Sequence, residues 1–574
     1  MSLAIKPIIY AAFANPEDNS GAPLPELKIE EARIREALTN AIAEDASWDY
    51  QQGLEATRAA LVERFYSNRV AVFHFGGHAD PQRLLLPGET PGRQLSNAVL
   101  LEDFLSRQES LKFAFFNACS TREWAQNLVR LGVPCVIATS RDVNSEIALE
   151  FASVFYQYLA HDATIAEAFA KAKASLGFTE DSSSNAAPHL GTTTREIDEA
   201  EDSNPDVTGF PWDIYQRDAE AAAWKLSIGA NDPLIGLPPL KIDSKKLPAS
   251  PYVSIKGHTP ADAPLFFGRN AEIRSLYDWV LRSSDDPPIL LFYGQSGVGK
   301  SSLLNAGLLP RLNDQADIVY TRRTLNLTDD LHKAIGGPSN EDARAWLTAA
   351  KPKLIILDQI EEAITHSDGS TAELHAFITR VIEIFSLRGP DSTARLILSF
   401  RKEYLAEIRN ALTVGTQEDA PPLEKDFWLE RLDLAGIKQV VAGPTRLRAL
   451  REKYKITLAD EDLPADIAHD LEDRNSPIAT ILQIILNQLW KAAKAKGGDP
   501  VYTRALYKSL SNTDNPLQGF FDAQIVQLEP NSGGTVNNDG LELDFLYEHT
   551  TQLVTSKPQS LTDLQKAYPQ ITNL

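Results

Sequence analysis

The residues whose types and spacing suit chemistry fall into two groups. In the first, Gly294-Gln295-Ser296-Gly297-Val298-Gly299-Lys300-Ser301 spells G-x4-G-K-S. It follows the apolar run Ile289-Leu290-Leu291-Phe292 and leads into the helical stretch Ser302-Leu303-Leu304-Asn305. In that strand–loop–helix setting the glycines let successive backbone N–H groups converge on phosphate oxygens, and the helix N-terminus adds its positive end. Lys300 would reach the β- and γ-phosphates, and the Ser301 hydroxyl would ligate Mg²⁺. A second apolar run, Leu354 to Leu357, ends in Asp358 and continues Gln359-Ile360-Glu361-Glu362. Asp358 is expected at the tip of a strand beside the phosphate-loop strand, facing the water shell of the Mg²⁺ ion. Glu361 or Glu362 would orient an attacking water. A third run, Arg395 to Phe400, ends in Arg401, which would sense a γ-phosphate, although such an arginine on its own is more often a surface cation at a strand end.

The second group is a thiol and an imidazole. Val70-Ala71-Val72-Phe73-His74-Phe75-Gly76-Gly77-His78 and Leu111-Lys112-Phe113-Ala114-Phe115-Phe116-Asn117-Ala118-Cys119 each read as a buried strand ending in a reactive side chain. Open α/β sheets build their sites at such strand C-termini. A thiol just ahead of a helix at about 121–132 would have its thiolate favoured by the helix dipole, with a nearby imidazole assisting. Spacing alone leaves open that Cys119 is merely a small buried hydrophobe. His74, inside its strand, reads as structural, and Cys135 in mid-strand reads as core.

These groups need scaffolds. Strands are expected at 7–13, 70–75, 111–116 and 134–139. Helices are expected at 26–44 (Leu27, Ile34, Leu38 and Ile42 on one face), 53–67, 101–108, 122–132, 145–160 and 164–176. This alternation predicts a mostly parallel sheet with helices on both faces. Residues 179–206, polar, acidic and Ser-rich, read as a surface loop. Residues 229–264, with seven prolines, read as a linker. A second α/β alternation runs from Pro287 to about 415, and the remainder reads as mainly helical.

The 574 residues exceed what one hydrophobic core organises, and 43% apolar with 23% charged residues is a globular composition. The formal net charge of −22 argues against broad contact with a nucleic-acid backbone or an anionic membrane. Two cysteines cannot make a disulfide framework and suit a reducing cytoplasm. The opening apolar stretch lacks the basic lead of a signal peptide and is interrupted by Lys6-Pro7; it reads as a strand, turned at Asn15-Pro16. No fixed-period repeat is visible.

Several motifs carry a family resemblance. Phe266-Phe267-Gly268-Arg269 resembles the adenine-side motif of STAND NTPases, and LIILDQIEE is similar to the DQFEE motif of one bacterial branch, with Ile360 in place of Phe. Arg401 matches that branch's sensor arginine, although Lys402-Glu403-Tyr404 follows it. Gly443-Pro444 looks like the lid motif, and Ser476-Pro477 to Trp490 like the helical region after it. The two N-terminal strings, with Leu131-Gly132-Val133-Pro134, the helix Glu146 to Tyr158, Pro211-Trp212 and a short strand near Trp224-Lys225-Leu226, resemble CHAT domains of the caspase-like clan.

The resemblance implies a caspase-like α/β sandwich over 1–228, a P-loop α/β NTPase over 265–415, and a helical lid with the start of a winged-helix-like region over 416–574. It implies ATP and Mg²⁺ as cofactors, with Gly268, Arg269, Gly294, Ser296 to Ser302, Asp358, Glu361, Glu362, Arg401 and Pro444 at the nucleotide. His78 becomes the catalytic histidine and Cys119 the nucleophile. His78-Ala79 replaces the usual His-Gly, and backbone N–H groups near Ala79 and Cys119 would form the oxyanion hole. The implied activity is cleavage of protein substrates by an ATP-switched cysteine endopeptidase. It would be a cytoplasmic effector of bacterial antiphage-type defence that forms a homo-oligomer when activated. A phage- or stress-derived trigger would be read by a C-terminal sensor not visible here. The alternative is an inert CHAT scaffold on an assembly ATPase; a nucleic-acid-remodelling ATPase fits the charge poorly.

Overall fold

The computed structural model describes residues 6–14, 26–42, 48–54, 57–79, 83–86, 94–177, 210–253, 257–281, 286–312, 314–365, 370–415, 422–472 and 478–511. The Asn15-Pro16 turn, the loop 179–206, Ser476-Pro477 and everything after 511 lie outside the described residues. The chain divides into two compact units, Met1–Pro239 with Arg446–Arg448, and Leu240–Thr445 with Ala449–Leu574.

In the first unit, β1 (Ile8–Ala14), β2 (Asp49–Leu54), β3 (Val70–Gly77), β6 (Phe113–Asn117), β7 (Cys135–Thr139) and β8 (Trp212–Gln216) form one sheet in the order β2-β1-β3-β6-β7-β8. All neighbours are parallel except β8, which runs antiparallel to β7. A two-strand hairpin, β4 (Arg83–Leu86) with β5 (Gln94–Asn97), stands apart from this sheet.

The strands are apolar at successive positions because both faces are covered. Ile9, Ala11, Phe13, Phe113, Phe115 and Ile137 pack with α1 (Glu26–Ile42), α5 (Ser145–Ala160) and α6 (Ile165–Gly177). The alternate residues Tyr10, Ala12, Phe73, Phe75, Ala114, Phe116 and Val136 pack with α2 (Arg58–Tyr66), α3 (Ala98–Ser106) and α4 (Arg122–Leu131). The period-2 alternation of a strand thus divides the core into two layers.

Three expectations need correction. Residues 53–67 are not one helix: β2 pairs with β1 and ends at Leu54, and α2 starts at Arg58 behind the Thr57 cap. The half-polar string DYQQGL disguised an edge strand. The strand expected near Trp224 is absent, because Leu226–Ala230 is helical and the antiparallel strand lies at Trp212–Gln216. Residues 229–264 do not act as one spacer. Ile235 and Leu237 are buried in the first unit, where Leu237 O accepts from Asn68 Nδ2. From Leu240 the chain belongs to the second unit, where Tyr252 is buried and its carbonyl accepts from Asn487.

The second unit centres on a five-stranded parallel sheet. Its strands are β9 (Ile289–Gly294), β10 (Asp317–Arg322), β11 (Lys353–Asp358), β12 (Arg395–Arg401) and β13 (Glu424–Leu429), in the order β10-β11-β12-β9-β13. β13 lies beyond the expected domain limit at 415, so the region after 415 is not purely helical. Leu291, Ile355, Leu357, Leu396 and Leu398 pack with Leu331, Phe377, Ile378 and Ile408 from the surrounding helices. A short pair, β14 (Thr457–Leu458) with β15 (Val501–Tyr502), accompanies the helices Leu463–Glu472 and Ile478–Ala495.

Candidate functional sites

β9 ends at Gly294 and the chain turns through Gly297 (φ 73°) and Gly299 (φ 102°), left-handed conformations that L side chains rarely adopt. Helical winding starts at Lys300, and the next stretch, Leu303–Leu308, is π-wound, an irregularity frequent at functional sites. Lys300 Nζ donates to the carbonyls of Gly294 (3.0 Å) and Gln295 (3.1 Å), folding over its own loop. Burial lowers its pKa, against the opposing pull of Glu361 and Asp358.

Asp358 is fully buried and saturated with donors. Ser301 Oγ and the Tyr320 hydroxyl both donate to its Oδ2 at 2.6 Å, and Ser399 Oγ donates to Oδ1 at 2.6 Å. A hydroxyl and a carboxylate sharing one contact are hard oxygen donors that fit Mg²⁺. The strand of Asp358 is not beside the phosphate-loop strand, as expected; β12 lies between them. The intervening strand supplies Ser399 and, at its tip, Arg401. Glu361 is buried, its Oε1 lies 3.2 Å from Arg401 Nε, and its Oε2 has no hydrogen-bond partner. Burial pushes its carboxyl up to about 7, against Arg401 and Lys300, which favour the charged form.

Lys300, Ser301, Glu361 and Arg401 border a cavity of about 300 Å³. Ser296 to Ser302, Arg322, Glu361 and Arg401 form its polar part, whereas Leu265, Phe266, Phe267, Leu432, Val440 and Leu482 form an apolar part suited to a flat base. Gly268, Gly294, Asp358, Glu362 and Pro444, all expected at the nucleotide, do not line it. Gly268 (φ 82°) is structural: a Cβ there would lie 2.5 Å from Gly436 O, so this close backbone approach excludes any side chain. Pro444 is buried, and Glu362 opens a short helix. Arg269 does border the cavity, but its guanidinium bonds Glu430 O (2.8 Å), Val298 O (3.2 Å) and Glu272 (2.6 Å), tying the phosphate loop to the chain after β13.

Sequence reasoning missed His258, Tyr320, Arg322 and Ser399. His258 packs edge-on against Phe266, its Nε2 is buried without a partner, and burial holds its pKa down at about 4, so the ring is neutral. Tyr320 and Arg322 lie on β10, an edge strand whose polar residues masked it. Ser399 is a lone hydroxyl in an apolar strand, and its register opposite Asp358 was its only signal.

In the first unit, β3 and β6 are adjacent and parallel, with Gly76 opposite Asn117. His78 and Cys119 each follow that pair by two residues, at the same edge of the sheet. The turn carrying Cys119 is unusual: Ser120 has φ 53°, a conformation uncommon for a residue with a side chain. It is fastened by Thr139 Oγ1, which donates to Ala118 O, and by Thr121 Oγ1, which accepts from Thr139 N at 3.1 Å. Cys119 Sγ accepts from Val143 N at 3.3 Å and is wholly buried, as is His78 to within 1%. Beneath the turn, Asn117 Nδ2 donates to Glu30 Oε1 (2.6 Å), which also meets His74 Nε2 (3.2 Å), and Trp212 Nε1 donates to Asn117 Oδ1 (3.2 Å). His74 therefore sits in a buried polar network. Cys135 is fully buried, and burial pushes its thiol up, so it stays protonated.

The phosphate loop, the buried aspartate and the strand-tip arginine coincide with a match to the family model "Novel STAND NTPase 1" over residues 251–573. The chain belongs to that family. Residues 3–204 match the CHAT domain, so this STAND NTPase is fused to a caspase-like CHAT domain. None of the curated proteins compared matches the chain. Among solved structures, domain III of the Thermotoga maritima replication initiation protein DnaA is 16% identical, covering 48% of this chain and 98% of that one, with a TM-score of 0.30. The E. coli MS115-1 HORMA:CdnC:Trip13 complex is 12% identical, with coverage of 48% and 98% and a TM-score of 0.32.

Proposed function

We propose that this STAND NTPase binds ATP with Mg²⁺ in the cavity beside Lys300, and that the nucleotide state switches a cysteine endopeptidase built on His78 and Cys119. The observation that carries the nucleotide reading is the shared contact of Ser301 and Asp358 at the end of a glycine loop with two left-handed residues. Mg²⁺ would be held by Ser301 and Asp358 and would supply charge neutralisation of the phosphates. The chain's own residues divide the remaining work. Lys300, released from the loop carbonyls, would meet the β- and γ-phosphates; Arg401 would meet the γ-phosphate; Glu361 would take a proton from the attacking water.

The peptidase reading rests on the two matched strand tips. His78 would draw the thiol proton, Cys119 would attack a peptide carbonyl, and backbone N–H groups at the turn would hold the oxyanion. Because the thiol is closed to solvent and bonded by Val143 N–H, activation must open this turn. Assembly of several copies on ATP binding, in response to a phage- or stress-derived trigger, would supply that opening; this role in bacterial defence rests on the CHAT–STAND pairing. Two buried cysteines outside any disulfide suit a reducing compartment, and no helix among the described residues is long and apolar enough to cross a membrane. The same burial favours one second reading, a CHAT fold that recruits partners without cleaving them. Mass-spectrometric mapping of new protein termini in cells expressing wild type or Cys119→Ala, under an activating trigger, decides between them. Identical termini in both would leave the scaffold reading standing.

A further inference from the structure

Arg322 is not among the residues that the family resemblance assigns to the nucleotide. It ends β10, at the edge of the sheet, and borders the cavity with Lys300, Ser301, Glu361 and Arg401. Its Nε lies 3.6 Å from Asp358 Oδ2, beyond hydrogen-bond distance, and its side chain is half exposed while that of Asp358 is wholly buried. Asp358 already has hydroxyl donors from Ser301, Ser399 and Tyr320. The carboxylate therefore does not depend on the guanidinium for its hydrogen bonds.

Of the cavity's other arginines, Arg269 is fixed by two backbone carbonyls and Glu272, and Arg401, which would meet the γ-phosphate from a central strand, pairs with Glu361. Arg322 sits half exposed at the end of an edge strand, beside the Tyr320 hydroxyl and facing the very Asp358 oxygen that Ser301 touches. As a metal ligand, Asp358 would no longer offer its full charge to Arg322, and a terminal phosphate bound near Ser301 would compete for the guanidinium. A guanidinium suits that role, since its planar donors match phosphate geometry.

We propose that Arg322 binds the terminal phosphate of ATP and so makes the site distinguish ATP from ADP. This rests on the nucleotide reading above. The test is calorimetric titration of the full chain, in Mg²⁺, with ADP and with a non-hydrolysable ATP analogue. It compares wild type, Arg322→Ala, Arg322→Gln and Arg322→Lys, with circular dichroism to confirm folding. A charge-assisted hydrogen bond lost in the triphosphate complex alone predicts about 10- to 100-fold weaker analogue binding in the alanine and glutamine variants, with ADP affinity held within about threefold. Lysine should restore part of the loss, because it keeps the charge without the fork.

Equal losses for both nucleotides would overturn the proposal, making Arg322 a support for Asp358, and so would no change in either. Should wild type bind neither nucleotide, the site reading itself falls, a result distinct from failure of Arg322 alone. If the alanine variant does not fold, the glutamine variant carries the comparison.

Discussion

Replacing Glu361 by Gln tests hydrolysis and stability at once. The carboxyl is buried, one oxygen unpartnered and the other 3.2 Å from Arg401, with Lys300 and Asp358 as the other charges acting on it. Burial dominates and raises its pKa from 4.5 to about 7. At about 1.4 kcal/mol per pH unit, ionisation in the nucleotide-free fold is disfavoured by roughly 3 kcal/mol. A raised folded pKa contributes stability that is complete below the unfolded value of 4.5 and is lost as pH rises through about 7. Glutamine carries no such penalty. Glu361→Gln should therefore melt with wild type near pH 4.5 and become more stable by roughly 1–3 kcal/mol at pH 8, read by thermal shift without nucleotide. In ATPase assays the wild-type rate should climb with pH as this carboxyl ionises, because a base must be ionised to accept a proton. The variant should lose about 10²- to 10⁴-fold in kcat while keeping ATP affinity. A variant destabilised equally at both pH values, or one that hydrolyses ATP normally, refutes the argument.

Three further outcomes are expected. Lys300→Ala should abolish or greatly weaken ATP binding in calorimetry, since the phosphates lose the cation that now folds over the loop; undiminished affinity would misplace the site. Asp358→Asn should spare much of the nucleotide binding yet cut Mg²⁺-dependent hydrolysis, measured by phosphate release with and without EDTA. Iodoacetamide should leave Cys135 unmodified in the native chain, because burial keeps its thiol protonated; with an activating trigger, Cys119 should become the labelled site, and peptide mapping would expose the reverse.

What the sequence disclosed, and what it hid, follow one physical rule. Central parallel strands are buried on both faces, so Val70–Gly77, Phe113–Asn117, Ile289–Gly294 and Lys353–Asp358 read as apolar runs and announced both their own positions and the reactive residues at their tips. Edge strands have no such constraint. DYQQGL and DIVYTR are half polar, and their identity depends on the neighbour they pair with, which no local pattern reveals. The missed residues Tyr320, which donates to Asp358, and Arg322, which borders the cavity, ride on one of these edges.

Strand order was hidden for a related reason. Ser399 meets Asp358 only because β12 lies between β11 and β9, a crossover that brings sequence-distant tips together. A motif names the residues that must touch the nucleotide through backbone or charge, but not those that hold them. Gly268 and Pro444 show the converse. Both belong to recognisable motifs, yet Gly268 permits a backbone contact with Gly436, and Pro444 follows Gly443, where a Cβ would lie 2.2 Å from the Phe267 ring. Such motif residues shape the base-sized part of the cavity through the elements they allow to approach, and a substitution at Gly268 should weaken nucleotide binding by displacing the neighbouring Phe267 rather than by removing a ligand contact.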